Sequence, residues 1–343
     1  MRDSRTSYEE SVSRALVHIA AHVPGDLVAL FADKSGITKD DIHPITRVPS
    51  GMVSAVDGSN AMILEGGSIS LAAIQAARTT FLANERHNRA STPLTLVTIG
   101  PGHRNLDFPV MFEECFGVPP HKGLDNSDLE KAVNALRDTL EYWVTRETAK
   151  TLPAGALLLI DGALRVSSQN HEPVLSSIIT TAQERGLLLA AVAKRTRATW
   201  GGGHPLLPAV SGLTDQFDIS GPWWIKIDEH LLDHTEYRQG RHGEIFVASL
   251  SSRVPRLLKM ELPKGTSVET IAATMHAIAA CSGDGRIPGY PYPLLDAHRT
   301  VAIDESRVMQ IQQDLKAGLS KQGMRNRTFE DLFGDLHDDF ERY

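Results

Sequence analysis

Only two cysteines occur in 343 residues, and Cys115 and Cys281 stand far apart with no Cys-x-x-Cys spacing. That excludes a disulfide framework and a structural zinc site, and reduced thiols are expected. No apolar run reaches the roughly 18 to 20 residues that a membrane helix needs, and Met1-Arg2-Asp3-Ser4-Arg5 leads into a polar helix instead of a signal-peptide core. The expectation is a cytoplasmic protein without membrane association. Basic charge is also in deficit: 35 Lys and Arg against 42 Asp and Glu leave a net charge of −7. Such a balance excludes a passive coat on nucleic acid. It does not exclude an enzyme that admits a strand into a local groove, because carboxylates that hold metal ions are themselves negative. Part of the deficit belongs to an acidic tail, Thr328 to Tyr343. The Gly-x-x-x-x-Gly-Lys-Ser/Thr arrangement that wraps a nucleotide triphosphate occurs nowhere, and there is no internal repeat.

Hydrophobic residues make up 41% of the chain, ample for a packed core. Two stretches stand out within it. In Gly51-Met52-Val53-Ser54-Ala55-Val56-Asp57-Gly58-Ser59-Asn60, apolar residues lead straight to a carboxylate followed by small, turn-forming residues. The pattern predicts a buried strand that ends at Asp57. It returns in Ala156-Leu157-Leu158-Leu159-Ile160-Asp161-Gly162-Ala163-Leu164. Asp-Gly is a favoured hairpin pair, so either aspartate alone reads as a turn residue. The uninterrupted apolar run before Asp161, however, is that of a strand buried on both faces. Burying an unpaired carboxylate costs several kcal/mol, and a divalent cation converts the position into a site. Two strand-ending aspartates are therefore read as the start of a metal site.

Around these strands the chain reads as alternating helix and strand. Ser7-Tyr8-Glu9-Glu10 has the form of a capping box opening a helix to about His22, with Pro24-Gly25 as its stop and a short helix over Asp26 to Ala32. Strand-like runs at Ala61 to Leu64, Ser68 to Ala77 and Pro93 to Ile99 form an antiparallel meander entered through an Asp57-Gly58 turn, with Asn84 to Ser91 as a solvated loop. Asn126 or Ser127 caps a helix through Leu129, Val133, Leu136, Leu140, Trp143 and Val144 that ends at Leu152-Pro153. On it Glu147 continues the apolar stripe while Glu141 flanks it, and either can reach toward the Asp161 strand.

Pro173 to Arg185 is a helix and Gly186 to Ala193 a buried strand, a unit whose strands most simply run parallel. Lys194-Arg195-Thr196-Arg197 follows, either as an exposed basic turn or as a phosphate contact. Trp200-Gly201-Gly202-Gly203-His204-Pro205 reads as flexible, strands follow at 223–227, 245–250 and 257–262, and a helix runs from Val268 to Cys281. Gly289-Tyr290-Pro291-Tyr292-Pro293 is a rigid entry into a helix with His298 near its amino end, where anions are favoured. Leu332, Phe333, Leu336 and Phe340 recur at helical spacing in the tail, read as docking on its own core, with a partner as the alternative.

Taken in order, Ala55-Val56-Asp57-Gly58-Ser59, a helical glutamate before Leu158-Leu159-Ile160-Asp161-Gly162-Ala163-Leu164, the Val192-Ala193-Lys194-Arg195 strand end, and Gly289-Tyr290-Pro291-Tyr292-Pro293-Leu294 leading to Ala297-His298 resemble the NurA family of prokaryotic nucleases. The resemblance spans about Val53 to Ile303. It implies an α/β fold with a ribonuclease H-like mixed sheet flanked by helices. With it come manganese- or magnesium-dependent DNA hydrolysis, a homodimer, and a HerA-type hexameric ATPase as partner in DNA end processing. The implied activities are 5'-3' exonuclease and single-strand endonuclease, in repair or in antiviral defence. Asp57, Asp161 and Glu141 carry over as metal ligands and His298 as a late catalytic histidine, with Lys194 and Tyr290 or Tyr292 as site neighbours. Periodicity points to Glu147, and only the resemblance points to Glu141.

The expected mechanism is hydrolysis with two cations about 4 Å apart, Lys194 and His298 meeting phosphate charge or moving protons. The expected division is an N-terminal helical segment (1–50), a nuclease domain (51–305) and a C-terminal helix and tail (306–343). Two other readings compete: an actin- or sugar-kinase-like phosphotransferase, whose sheet also opens with a strand ending in aspartate and a glycine turn, and a non-catalytic adaptor of a motor ATPase.

Overall fold

The computed structural model of the chain describes residues 4–21, 27–100, 107–125, 128–233, 240–253, 256–324 and 326–334. Helices α1 (Ser4–Ala21) and α2 (Leu27–Ser35) come first, then strands β1 (His43–Pro44), β2 (Met52–Leu64), β3 (Ser70–Leu82), β4 (Glu85–Ser91) and β5 (Thr95–Ile99). Helices α3 (Asp107–Phe116) and α4 (Leu129–Thr151) lead into β6 (Leu157–Asp161), α5 (Glu172–Glu184) and β7 (Leu188–Ala193). The hairpin β8 (Thr199–Trp200) and β9 (His204–Pro205), α6 (Leu206–Gln216), β10 (Trp223–Ile227), β11 (Gly243–Ser249) and β12 (Leu257–Pro263) follow. Last come α7 (Val268–Ala280), α8 (Tyr292–Val301), α9 (Glu305–Lys321) and α10 (Asn326–Phe333).

Contacts divide the chain into two units, Met1–Val48 with Val192–Tyr290, and Pro49–Ala191 with Pro291–Tyr343. The chain thus leaves the second unit at β7 and returns to it with α8, so the division is interleaved and not successive along the sequence. In the first unit β1, β10, β11 and β12 form an antiparallel sheet. Its core gathers Phe31, Trp200, Leu206, Val210, Leu213, Ile225 and Val247. The Trp200-Gly-Gly-Gly segment is not the flexible stretch expected. Trp200 is fully buried with its ring 4.8 Å from that of Phe31, and the Gly202 and Gly203 amides donate to Asp233. Burying a large indole outweighs the entropy that three glycines lose. Ser7 lies within helix α1 (Ser4–Ala21), not at the amino end of a helix as the capping-box pattern predicts. The expected stop at Pro24-Gly25 lies outside the described residues.

In the second unit β2 does not end at Asp57. It continues through Gly58 to Leu64 and pairs with β3 from Met52↔Leu82 to Leu64↔Leu71. The hairpin turn therefore lies beyond Leu64, not at Asp57-Gly58 as expected: cross-strand pairing over the whole length outweighs the local turn preference of Asp-Gly. Residues expected as a loop form β4, an edge strand whose seven residues are all exposed. With both faces polar it carries no apolar alternation for the sequence to display, and charge suits an edge. On the other side of β2 comes β6, parallel to it, and then β7. The sheet order is β4-β3-β2-β6-β7, with β5 paired to the first half of β3.

Helix α4 is capped by Asp128, whose side chain accepts from the Lys131 amide, while the predicted caps Asn126 and Ser127 lie outside the described residues. It packs across β2 and β3, and with α3 and α5 it closes a core that includes Val56, Ile74, Leu136, Leu158, Ile160 and Ile178. Helix α8 crosses β2 and β3, and Ile311 of α9 meets Ile63 and Ala73. The described part of the tail docks on its own unit, because a Cβ at Gly66 would come within 2.8 Å of the Leu332 carbonyl. Leu336 and Phe340 lie outside the described residues.

Candidate active site

The last registered pair of the parallel strands β2 and β6 is Val56↔Ile160, and the next residue on each is an aspartate, Asp57 and Asp161. Registered residues of neighbouring strands share a face, so these two carboxylates emerge side by side from strands about 4.8 Å apart. Asp57 is only 2% exposed, and its Oδ2 lies 2.9 Å from Nδ1 of the exposed His298 on α8. His298 occupies the last turn of α8, not the first as expected. His298 therefore does not stand at an anion-favouring amino end; it lies near the carbonyl end of α8, which favours cations.

Gly58, one residue on, faces the opposite side, toward α4. A Cβ there would stand 2.8 Å from Glu141 Oε2 and 3.0 Å from Arg137 Cγ. Only a residue without a side chain lets the Glu141 carboxylate lie against the backbone next to Asp57. Glu141 is buried, with Arg137 Nε 3.9 Å from its Oε2. Glu147, the other glutamate of the helix, is half exposed and pairs with Arg146 and Lys150 at 3.2 and 2.8 Å. Burial pushes the Glu141 carboxyl well above its ordinary range; Arg137 opposes the shift, and Asp138, Asp57 and Asp161 add to it. Arg137 remains firmly charged despite burial because Asp138, Glu141 and Asp57 surround it. Asp138 takes Arg137 Nη2 at 2.6 Å and also accepts from the Ser167 hydroxyl.

Asp57, Glu141, Asp161 and His298 thus belong to one locality of the second unit. Lys194 follows β7 and, like the buried Tyr290, falls in the first unit, while Tyr292 packs its ring edge-on against Phe81 at 5.6 Å. Arg137, Asp138 and the spacer Gly58 are the participants that sequence reasoning did not single out. Their signal was there in the i, i+4 spacing of Arg137 and Glu141. Among the described residues no three His, Cys, Asp or Glu side chains form a ready metal cluster. The donor set nonetheless suits a hard divalent cation: it is all carboxylate oxygen, and Glu141 is held above its usual pKa range by burial first and by the neighbouring aspartates in addition.

An antiparallel meander β2-β3-β4, parallel β6 on the far side of β2, and helices on the sheet with acids at the centre define a ribonuclease H-like α/β fold. No protein-family model matches the sequence, and no curated protein matches it. By structure the chain is similar to the crystal structure of the NurA nuclease from Sulfolobus solfataricus, at 14% identity and a TM-score of 0.61, over 94% of this chain and 98% of that one. A second NurA crystal structure matches at 10% identity and a TM-score of 0.57, over 93% and 98% of the two chains. The NurA fold therefore extends over nearly the whole chain. No helix among the described residues is long and apolar enough to cross a membrane.

Proposed function

We propose that this protein is a metal-dependent deoxyribonuclease that hydrolyses phosphodiester bonds at Asp57, Glu141, Asp161 and His298. The observation that carries the reading is the pair of aspartates that follow Val56 and Ile160 on adjacent parallel strands, with Glu141 admitted beside them by Gly58. Magnesium or manganese held by Asp57, Asp161 and Glu141 would supply positive charge to the phosphate and an acidified water. The protein's own part is to bring Asp57 and Asp161 together at the end of two parallel strands and to bury Glu141 against Gly58 on the α4 side, close enough that their negative charges oppose its ionisation and favour a nearby cation. Arg137 keeps the Asp138 and Glu141 side chains on the α4 side of β2. His298, exposed and hydrogen-bonded through Nδ1 to Asp57, can pass a proton between solvent and the departing oxygen through its other ring nitrogen.

The similarity in fold to a NurA nuclease supports the nuclease reading. As finer parts of the same proposal, the substrate is DNA, the activities are 5'-3' exonuclease and single-strand endonuclease, and the protein works as a homodimer with a HerA-type hexameric ATPase. The kinase-like alternative loses its main feature, because the chain continues as strand through Asp57-Gly58 and makes no phosphate-binding turn there. The test is digestion of end-labelled single- and double-stranded DNA with manganese, with and without a HerA-type ATPase. The wild-type protein should cut, and Asp57→Ala, folded by circular dichroism, should lose at least a hundredfold in rate. Undiminished cutting by that variant overturns the assignment.

A further inference from the structure

Helix α8 lies over β3, its Pro293 carbonyl accepting from Thr79 Oγ1 at 3.0 Å, and it reaches to both sides of that strand. Toward β2 it extends His298 to Asp57. Toward β4 it extends Asp296, whose Oδ1 takes Arg86 Nη1 at 3.2 Å and Arg89 Nη2 at 2.5 Å. Two guanidinium groups on one carboxylate leave a surplus positive charge. The Asp296 side chain is 3% exposed, but those of Arg86 and Arg89 are 48% and 40% exposed, so the surplus faces solvent.

Register places this charge on the face of the candidate site. Asp57 is opposite Ala77 and Ala77 opposite Ser91, while Arg89, two residues before Ser91, is opposite Thr79. Paired residues share a face, so Arg89 stands on the Asp57 side, about 10 Å across the sheet and about 7 Å along it. Arg299, next to His298, is exposed on the same helix. Guarding a sheet edge requires charge but not one particular face. Pinning α8 requires one arginine, not two. Arg86 and Arg89 thus put surplus positive charge on the Asp57 face of the sheet, and Arg299 adds an exposed cation on the helix that carries His298, in a protein whose net charge is −7.

We propose that Arg86, Arg89 and Arg299 form a track for the phosphates of a single nucleic-acid strand, presenting one of its phosphodiesters to Asp57 and Asp161. This rests on the nuclease reading and names the substrate contact of that site. The test is binding of a fluorescent single-stranded oligodeoxynucleotide by the full chain in an Asp57→Ala background, over a range of salt concentrations. R86Q, R89Q and R299Q should each weaken binding severalfold and reduce the slope of log affinity against log salt by about 0.7. D296N breaks the same ion pairs as R86Q and R89Q but removes a negative charge, so it should bind as tightly or more tightly. R299Q, which breaks no described ion pair, should keep the thermal midpoint unchanged and so separates binding from folding. Equal binding by all three arginine variants, or a D296N defect matching that of R89Q, overturns the track. Either result leaves the nuclease reading standing, because that reading falls on cleavage, if the wild-type protein fails to cut or Asp57→Ala cuts undiminished, and not on binding.

Discussion

Gly58 is the residue on which the acidic centre turns, although it carries no functional group. Its missing side chain is what allows a carboxylate from α4 to approach a strand on whose opposite face Asp57 points. Gly58→Ala should push Glu141 and Arg137 away, lowering cleavage by at least tenfold and stability by about 1–3 kcal/mol. Steady-state kinetics and urea unfolding check both. His171 is a second residue with a measurable signature. It is fully buried with Nε2 2.9 Å from Thr139 Oγ1, and burial lowers its pKa from 6.5 to about 4. Between those values the unfolded chain binds more protons than the folded one, so stability is complete above about pH 6.5 and falls as the pH drops toward 4. The loss should approach about 3 kcal/mol, and His171→Asn should flatten that limb of the stability profile. Of the candidate site residues, Asp57 and Asp161 were legible as apolar runs meeting a carboxylate. The choice between Glu141 and Glu147 was not, because periodicity describes the apolar stripe, and the glutamate that turned inward is the one off that stripe, opposite a glycine.

Elements owe their positions here to small residues at crossings as much as to apolar stripes. Helices α2 and α6 approach so closely that a Cβ on Gly212 would stand 2.3 Å from Val28 Cγ2. Gly212→Ala should therefore destabilise the protein by about 1–3 kcal/mol even though alanine is the better helix former, and Val28→Ala should recover part of that loss in the double variant. Thermal or urea unfolding of the four proteins decides it. The same lesson applies to β2 and β4. One was read as ending at a turn pair and the other as a loop, yet both are strands, because ladder pairing with β3 sets their length. Local preference marks where a turn can form, and a neighbouring strand determines whether it does.

At the scale of the whole molecule, a net charge of −7 coexists with a candidate site in which burial and neighbouring aspartates oppose the ionisation of Glu141, and the proposed cation would offset that cost. Manganese or magnesium should raise the thermal midpoint of the wild-type protein, by about 2.7 kcal/mol of stability at a hundredfold excess over Kd, and a chelator should reverse it. Glu141→Gln gives the opposite pattern. A carboxyl whose folded pKa is raised contributes stability present below its ordinary pKa and lost as pH rises, so removing it should stabilise the metal-free protein near neutral pH while reducing the metal-induced shift. Differential scanning fluorimetry with and without the ion checks both, independently of activity.

The amino-acid order alone determined the α/β class, most of the helices and strands, and the two aspartates, because burial periodicity and a charge at the end of an apolar run are local properties. Tertiary structure decided which glutamate of α4 is buried against Gly58, that His298 reaches Asp57 from the last turn of α8, and that Asp296 is shared by two arginines of an edge strand. Those facts depend on the pairing of β2 with β6 and on the crossing of helices over β3, contacts between residues as many as 241 positions apart that no local pattern encodes.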